Sequence, residues 1–342
     1  MNRRAFFLVT MLAGAVLTLS PGDTWAQETF YKGKVIRVIV GFSAGGGFDV
    51  NARIIARHMG KYIPGNPSII VENMTGAGSL IAANYVYKAA KPDGLTIGNF
   101  AGGLIMNQIF GQPGIEFEAR KYIYIGVPAK SPPVCVLSKA SGISNMEKWM
   151  AAKTPVKLGG LSPGNTTDDV PKVLKSTIGL PIQVVTGYKG TSDIRLAVET
   201  GELAGACWNW ESVSTTWRNG LDAGDIVVVL QTTPEPLPDL PKVPVAISFA
   251  KTDEARKLIQ VGIHDQYQIL RLYTLPPSTP KDRVEILRRA FEQTMRDSEF
   301  KAEMEKGKLP VDPVSGGEVE RIISGFFNLD SGLVAKLKET LK

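Results

Sequence analysis

The stretch from Val35 to Tyr62, VIRVIVGFSAGGGFDVNARIIARHMGKY, restricts the fold more than any other part of the chain. Val35, Ile36, Val38, Ile39 and Val40 make a nearly unbroken apolar run, which suits a strand buried on both faces of a parallel sheet. The loop Phe42-Ser43-Ala44-Gly45-Gly46-Gly47-Phe48 follows, and Asp49 is placed to cap a helix. On that helix Val50, Ile54, Ile55, Met59 and Tyr62 share a face, with Asn51, Arg53, Arg57 and Lys61 mostly off it. A strand, a glycine turn and a helix N-terminus bare backbone N–H groups at the positive end of a helix, where an anion can sit. Three successive glycines let the backbone approach a ligand closely, or serve only to make a tight turn. The spacing is not G-x-G-x-x-G, and no lysine follows as in a phosphate loop. A nucleotide is therefore disfavoured, and a small anion such as a carboxylate is favoured.

The chain opens Met1-Asn2-Arg3-Arg4, continues with an apolar run from Ala5 to Leu19, and reaches Thr24-Trp25-Ala26. A basic start, a short apolar core and a small-residue end read as a secretory signal peptide over residues 1–26, cleaved before Gln27. The run is too short for a confident membrane span. Removing Arg3, Arg4 and Asp23 lowers the formal charge from +6 to +5. That excess is spread out and forms no basic block of the nucleic-acid-binding kind. It can help draw anions to a cleft. The expected mature protein is exported, and its length suits two domains. Cys135 and Cys207 are too few for a disulfide framework or a zinc site. In an oxidising compartment they can pair, or they remain two buried thiols; spacing does not decide.

Strand–helix–strand–helix–strand patterning over Val35 to Gly98 predicts an α/β unit with a parallel sheet. Its glycine turns, at Gly45–Gly47 and at Gly76-Ala77-Gly78, lie beyond the strand ends, where ligands sit in such sheets. Asn107 to Lys121 reads as a surface excursion, and Tyr122–Val127 with Val134–Leu137 as an extended crossover. A second α/β pattern follows. Val156–Gly160 is a strand, Leu161–Thr167 a polar turn, Asp168–Ile178 a helix and Ile182–Val185 a strand. Gly187–Ser192 leads into a helix from Asp193 to Thr200, and strands at Leu203–Trp208 and Asp225–Leu230 complete the unit. Tyr267–Leu275 is a second crossover, and Pro280–Arg296 is a strongly amphipathic helix.

An enzyme would need a nucleophile with its base, paired carboxylates or a metal site. The two histidines, His58 and His264, lack metal-ligand spacing, and no Gly-x-Ser-x-Gly elbow is present. No catalytic residue, metal or cofactor is expected.

With the two α/β halves and two crossovers in place, four motifs carry a family resemblance. Val40–Asp49 resembles the phenylalanine–proline–glycine–glycine–aspartate loop of the Bug-type solute receptors, the extracytoplasmic binding proteins of tripartite tricarboxylate transporters. Val71-Glu72-Asn73 with Gly76-Ala77-Gly78 is similar to that family's second turn. Pro92-Asp93-Gly94-Leu95-Thr96-Ile97 is similar to its third strand and the preceding turn, and Tyr188-Lys189-Gly190 to a signature in its second domain. The resemblance implies a type II periplasmic-binding-protein fold, in which two α/β lobes close on a ligand. Lobe one would comprise 27–127 and 268–342, and lobe two 128–267. It also implies a periplasmic, monomeric receptor that hands a small carboxylate to a membrane permease, with a sensory role as the alternative. Ser43, Ala44, Gly45, Gly46, Gly47, Phe48 and Asp49 would hold one carboxylate, with Gly78 nearby. Ser162, Gly164, Asn165, Thr166 and Thr167 would face them, together with Tyr188 and Trp208. The chain departs from the pattern at Ala44, where the family often has proline, across Gly160–Asp169, at Ala204, and at Trp208-Asn209-Trp210. These departures leave the identity of the acid open, an aromatic or longer acid included.

Overall fold

The computed structural model describes residues 30–342. The signal-peptide reading of residues 1–26 lies outside them. In chain order the first elements are β1 (Val35–Val40), α1 (Gly47–Met59), β2 (Ser68–Asn73), α2 (Leu80–Lys88), β3 (Thr96–Ala101), α3 (Leu104–Ile109) and β4 (Ile123–Val127). The middle of the chain forms β5 (Pro133–Ser138), α4 (Met146–Met150), β6 (Val156–Gly159), α5 (Thr166–Ile178), β7 (Ile182–Val185), α6 (Thr191–Glu199), β8 (Gly205–Asn209), α7 (Trp210–Thr216), α8 (Arg218–Ala223), β9 (Ile226–Gln231) and α9 (Asp253–Ile259). The remainder forms β10 (Arg271–Leu275), α10 (Lys281–Arg296), α11 (Ser298–Lys306), β11 (Val314–Ser315), α12 (Gly316–Phe327) and α13 (Ser331–Thr340).

The strands make two sheets. One has the order β11-β4-β10-β3-β1-β2, the other β7-β6-β8-β5-β9. Both repeat one plan. β1 pairs in parallel with β2 and β3, as β6 does with β7 and β8. Each sheet then takes in an antiparallel strand, β10 in the first and β5 in the second, and the short β11 adds another at the edge of the first. The chain crosses between the sheets from β4 to β5 and returns before β10. This is the two-lobed α/β architecture of type II periplasmic binding proteins.

Strand β1 is buried along one face and, on the other, only at Ile39, because Val35 is exposed and Arg37 pairs with Glu72 at the surface. Ile36, Val38 and Val40 pack with Ile55 and Met59 of α1 and Phe291 of α10. Ile39 points the other way, into the cluster holding Ala82 and Val86 of α2. Two expectations need correction. The segment 107–121 is no mere surface excursion, because Phe110, Phe117 and Ala119 are core residues. Residues 331–340, expected with the first lobe, pack on α5 of the second. Leu337 is fully buried in one cluster with Val173 and Leu174, and Lys172 Nζ donates to the Leu341 carbonyl at 2.9 Å.

The cysteine question resolves through register. Cys135 on β5 lies directly opposite Cys207 on β8, and the two are joined as a disulfide. The bond closes a sequence separation of 72 residues. In the chain-entropy account a loop of that size contributes about 4 kcal/mol. We predict that the Cys135→Ala, Cys207→Ala double variant loses stability on that scale, read as a lower urea midpoint. An unchanged midpoint would show that strand pairing alone holds β5 to β8.

Candidate ligand-binding site

Loop 42–48 is shaped by Asp49, which does not cap α1 in the expected manner. The N-cap position is Gly46, in extended conformation and without a side-chain cap bond. Asp49 sits in the first turn and reaches back. Its carboxylate accepts the Gly45 N–H at 2.9 Å, Asn73 Nδ2 at 2.9 Å and two nitrogens of Arg53, each at 2.9 Å. Gly45 turns the chain at φ +77°, where a side chain would be strained. Asn73 also donates to the Phe42 carbonyl at 2.8 Å, so the loop is held at both ends.

The second lobe repeats the device. Asn165 is the N-cap of α5, and Asp169 in the first turn accepts the Gly164 N–H at 3.1 Å. Asp168 is fully buried and accepts Thr186 Oγ1 at 2.8 Å. Burial raises both carboxyls, Asp169 to about 7. Neither faces the gap between the loops, so neither opposes an anion there.

That gap is a cavity of about 300 Å³ between the lobes, at the lower end for small-molecule sites. Three helices of nine or more residues, α1, α5 and α6, begin on its wall. The first N–H groups of a helix have no partner within it, and the helix dipole is positive there. The wall also carries Lys189, Arg195 and Arg271, and no aspartate or glutamate among the described residues. Its apolar part includes Phe42 and Phe48, whose ring centroids are 4.3 Å apart, and Trp208, which stacks on Trp217 at 5.3 Å. Such a cavity suits an anion with an apolar body.

Of the candidates from sequence, Ser43 to Phe48, Asn165, Thr166, Thr167 and Trp208 line the cavity. Asp49 does not; it is 2 % exposed and spends its carboxylate on the loop. Gly78, Ser162 and Gly164 also lie off the wall, at the contact between lobes. A Cβ on Gly78 would lie 2.2 Å from Ser162 Oγ and 2.6 Å from Asn165 Nδ2. Tyr188 is off the wall and donates to Glu202 at 2.6 Å, while its exposed neighbour Lys189 lies on the wall. Of the unusual run Trp208-Asn209-Trp210, the first two residues line the cavity, while Arg195, Ser212 and Arg271 were not anticipated. The signal available for Arg271 was a lone charge at the start of an otherwise apolar strand.

The histidines are elsewhere. His58 Nε2 lies 2.7 Å from Glu303, and His264 is buried, its Nδ1 3.1 Å from Gln260 and its Nε2 without a partner. His58 lies near Asp297 and Glu299, but the Lys61 ammonium already bridges those carboxylates at 2.6 and 2.9 Å.

Residues 51–337 match the tripartite tricarboxylate transporter family receptor. A UPF0065 protein from the tcbD-tcbE intergenic region of a Pseudomonas species is 26 % identical over 282 residues, spanning 81 % of this chain and 79 % of its own. Among solved structures, the periplasmic binding protein BugD is similar at a TM-score of 0.71 and 18 % identity, over 91 % of this chain and 98 % of its own. A Rhodopseudomonas palustris protein with adipate gives 0.71 at 20 % identity, over 90 % and 97 %. MatC of the same organism, with bound malate, gives 0.68 at 18 % identity, over 90 % and 99 %.

Burial alone would raise the Asp49 carboxyl, but the bonds from Arg53, Gly45 and Asn73 outweigh it and hold it below its ordinary value. A depressed carboxylate adds stability above its unfolded value and loses it as pH falls through the folded one. Asp49→Asn is therefore predicted to cost about 1–3 kcal/mol at neutral pH. The difference from wild type should shrink below about pH 4. Urea unfolding across pH tests this; a difference independent of pH would place the loss in shape and not in charge.

Proposed function

Because this chain belongs to the tripartite tricarboxylate transporter family of receptors, we propose that it captures a small carboxylate between its lobes and presents the closed form to a membrane permease. Members of this family and its solved structural relatives are solute-binding receptors and not enzymes. The observation that carries the ligand class is the cavity wall, with three helix N-termini, three cationic side chains and no carboxylate among the described residues. That malate and adipate occupy two solved relatives supports the same class.

The acid group sits at the N-terminus of α1 against Gly46 and Gly47, with Thr166 and Thr167 approaching from the other lobe. The apolar body lies along Phe42, Phe48 and Trp208. A ligand that touches both lobes stabilises the closed arrangement over an open one, so occupancy shifts the population. The lobes that move are the six-stranded and five-stranded sheets with their helices, about the crossings at 128–132 and 268–270 and the link at 328–330 that carries α13 onto the second lobe. A periplasmic location agrees with the basic and apolar opening of the sequence and with the disulfide, which suits an oxidising compartment. No helix among the described residues is long and apolar enough to cross a membrane.

Thermal unfolding of the chain without residues 1–26 tests the reading against succinate, malate, citrate, adipate and benzoate, with glucose and phosphate as controls. Ligand at about a hundred times its dissociation constant adds about 2.7 kcal/mol, a rise of several degrees. Thr166→Ala should reduce the rise. A response to glucose alone would mean that the helix N-termini do not select an anion.

A further inference from the structure

Arg271 opens β10 where the chain re-enters the first sheet. Its side chain is 6 % exposed and lies on the cavity wall beside the glycine loop; a Cβ on Gly47 would stand 3.1 Å from Nη2. The guanidinium lies over the Phe48 ring at 5.1 Å. Nη1 donates to Ser131 Oγ, on the other crossing between lobes. Nη2 lies 2.6 Å from Oε1 of Glu211, which is 5 % exposed in the first turn of α7 in the opposite lobe.

This pair is close but poorly aligned. Both Glu211 oxygens and Arg271 Nε lack a hydrogen-bond partner. A guanidinium offers five N–H groups in a fork that fits a carboxylate two bonds at a time. Glu211 meets that fork at one corner only and does not line the cavity, whereas Arg271 does. Lys189 is exposed and Arg195 donates to the Thr216 carbonyl, so Arg271 is the buried cation of the wall. A charge so placed acts more strongly than one in water.

We infer that Arg271 determines the cavity's preference for an acid group, and that Glu211 is a resident counter-ion with which the ligand's carboxylate competes. The inference rests on the receptor reading above. A carboxylate at the start of α1 lies beside Nη2 and draws on the fork that Glu211 holds. Two carboxylates at one guanidinium repel each other, so Glu211 keeps acid affinity below what the helix N-termini and Arg271 alone would give. Selection for charge is thereby combined with easy release.

Calorimetric titration with succinate, malate, adipate and benzoate tests this on wild type, Glu211→Gln and the double variant Arg271→Met, Glu211→Gln. Removing both charges together spares the fold from an unpaired buried ion, which circular dichroism checks. Glu211→Gln should bind the best acid of the panel about tenfold more tightly than wild type, and the double variant should bind it at least about tenfold more weakly than Glu211→Gln. Affinity in Glu211→Gln equal to or below wild type overturns the inference, as does equal affinity in the two variants. Should the double variant not fold, Glu211→Gln decides alone, since loss of a merely structural contact would not tighten binding. A wild type that takes up none of the four acids removes the receptor reading and this inference with it. Binding with unresponsive variants removes only the inference.

Discussion

The site depends on an aspartate reaching back from the first turn of a helix to the loop before it. Asp49 takes the Gly45 N–H and Asp169 takes the Gly164 N–H. In each lobe this folds the loop tightly onto the helix start, and the first residues there, Gly46 to Phe48 in one lobe and Asn165 to Thr167 in the other, line the gap. Donors without partners in a cleft are costly unless water or a ligand meets them. The sheets then do the aiming. β1 and β6 occupy the same place in the two strand orders, each between two parallel neighbours, so the loops after them meet across one cavity. The repeated strand plan thus turns two local turns into one site.

Much of this was legible because the signals are local. The apolar run of β1, the glycine loop and the face of α1 lie within 28 residues; Ile54, Ile55 and Met59 face the core as the pattern dictates, but Val50 is exposed and Asn51 is buried, where it accepts the Tyr273 hydroxyl at 3.2 Å. The part played by Asp49 was misjudged for a physical reason. Capping preference describes a side chain at the N-cap, whereas Gly46 holds that position and Asp49 works from inside the helix. Tyr188 and Lys189 show a similar limit, since only one of two adjacent turn residues reaches the wall and sequence does not say which. Contacts made at a distance were not legible at all. Arg271 meets Glu211 only because two lobes come together, and α13 finds α5 only through the whole fold. The cysteines were readable as a pair but not as a bond, because bonding hangs on the register of β5 against β8.

The buried pair between lobes makes sense only with the cavity beside it. Removing two charges from water costs more than their attraction returns unless geometry is good, and apolar residues in their place are often as stable. Here the geometry is poor, with the Glu211 oxygens unbonded. Stability is thus a weak reason for the pair to exist. Its position supplies a better one: the guanidinium touches the glycine loop, the first crossing and the opposite lobe at once. A change of charge at the loop is felt at the hinge and at the lobe contact through one side chain.

On the proposed reading, the size of ligand that fits is limited by how closely the lobes meet beside the cavity. Beside the cavity the lobes meet through small residues. Gly78 abuts Ser162 and Asn165, and a Cβ on Gly103 would lie 2.1 Å from the Gly164 carbonyl. Asn107 Nδ2 donates to the Pro163 carbonyl at 3.2 Å across the same seam. Side chains on a cavity wall can change rotamer to admit a bulkier guest, but a seam in which glycine backbone abuts main chain and short side chains has little such freedom. A guest larger than the cavity of about 300 Å³ must therefore hold the lobes apart along the whole seam and forfeit those contacts together. If the proposed reading holds, selection by size falls on closure and selection by charge on the helix ends and Arg271, so the two would be separable by mutation.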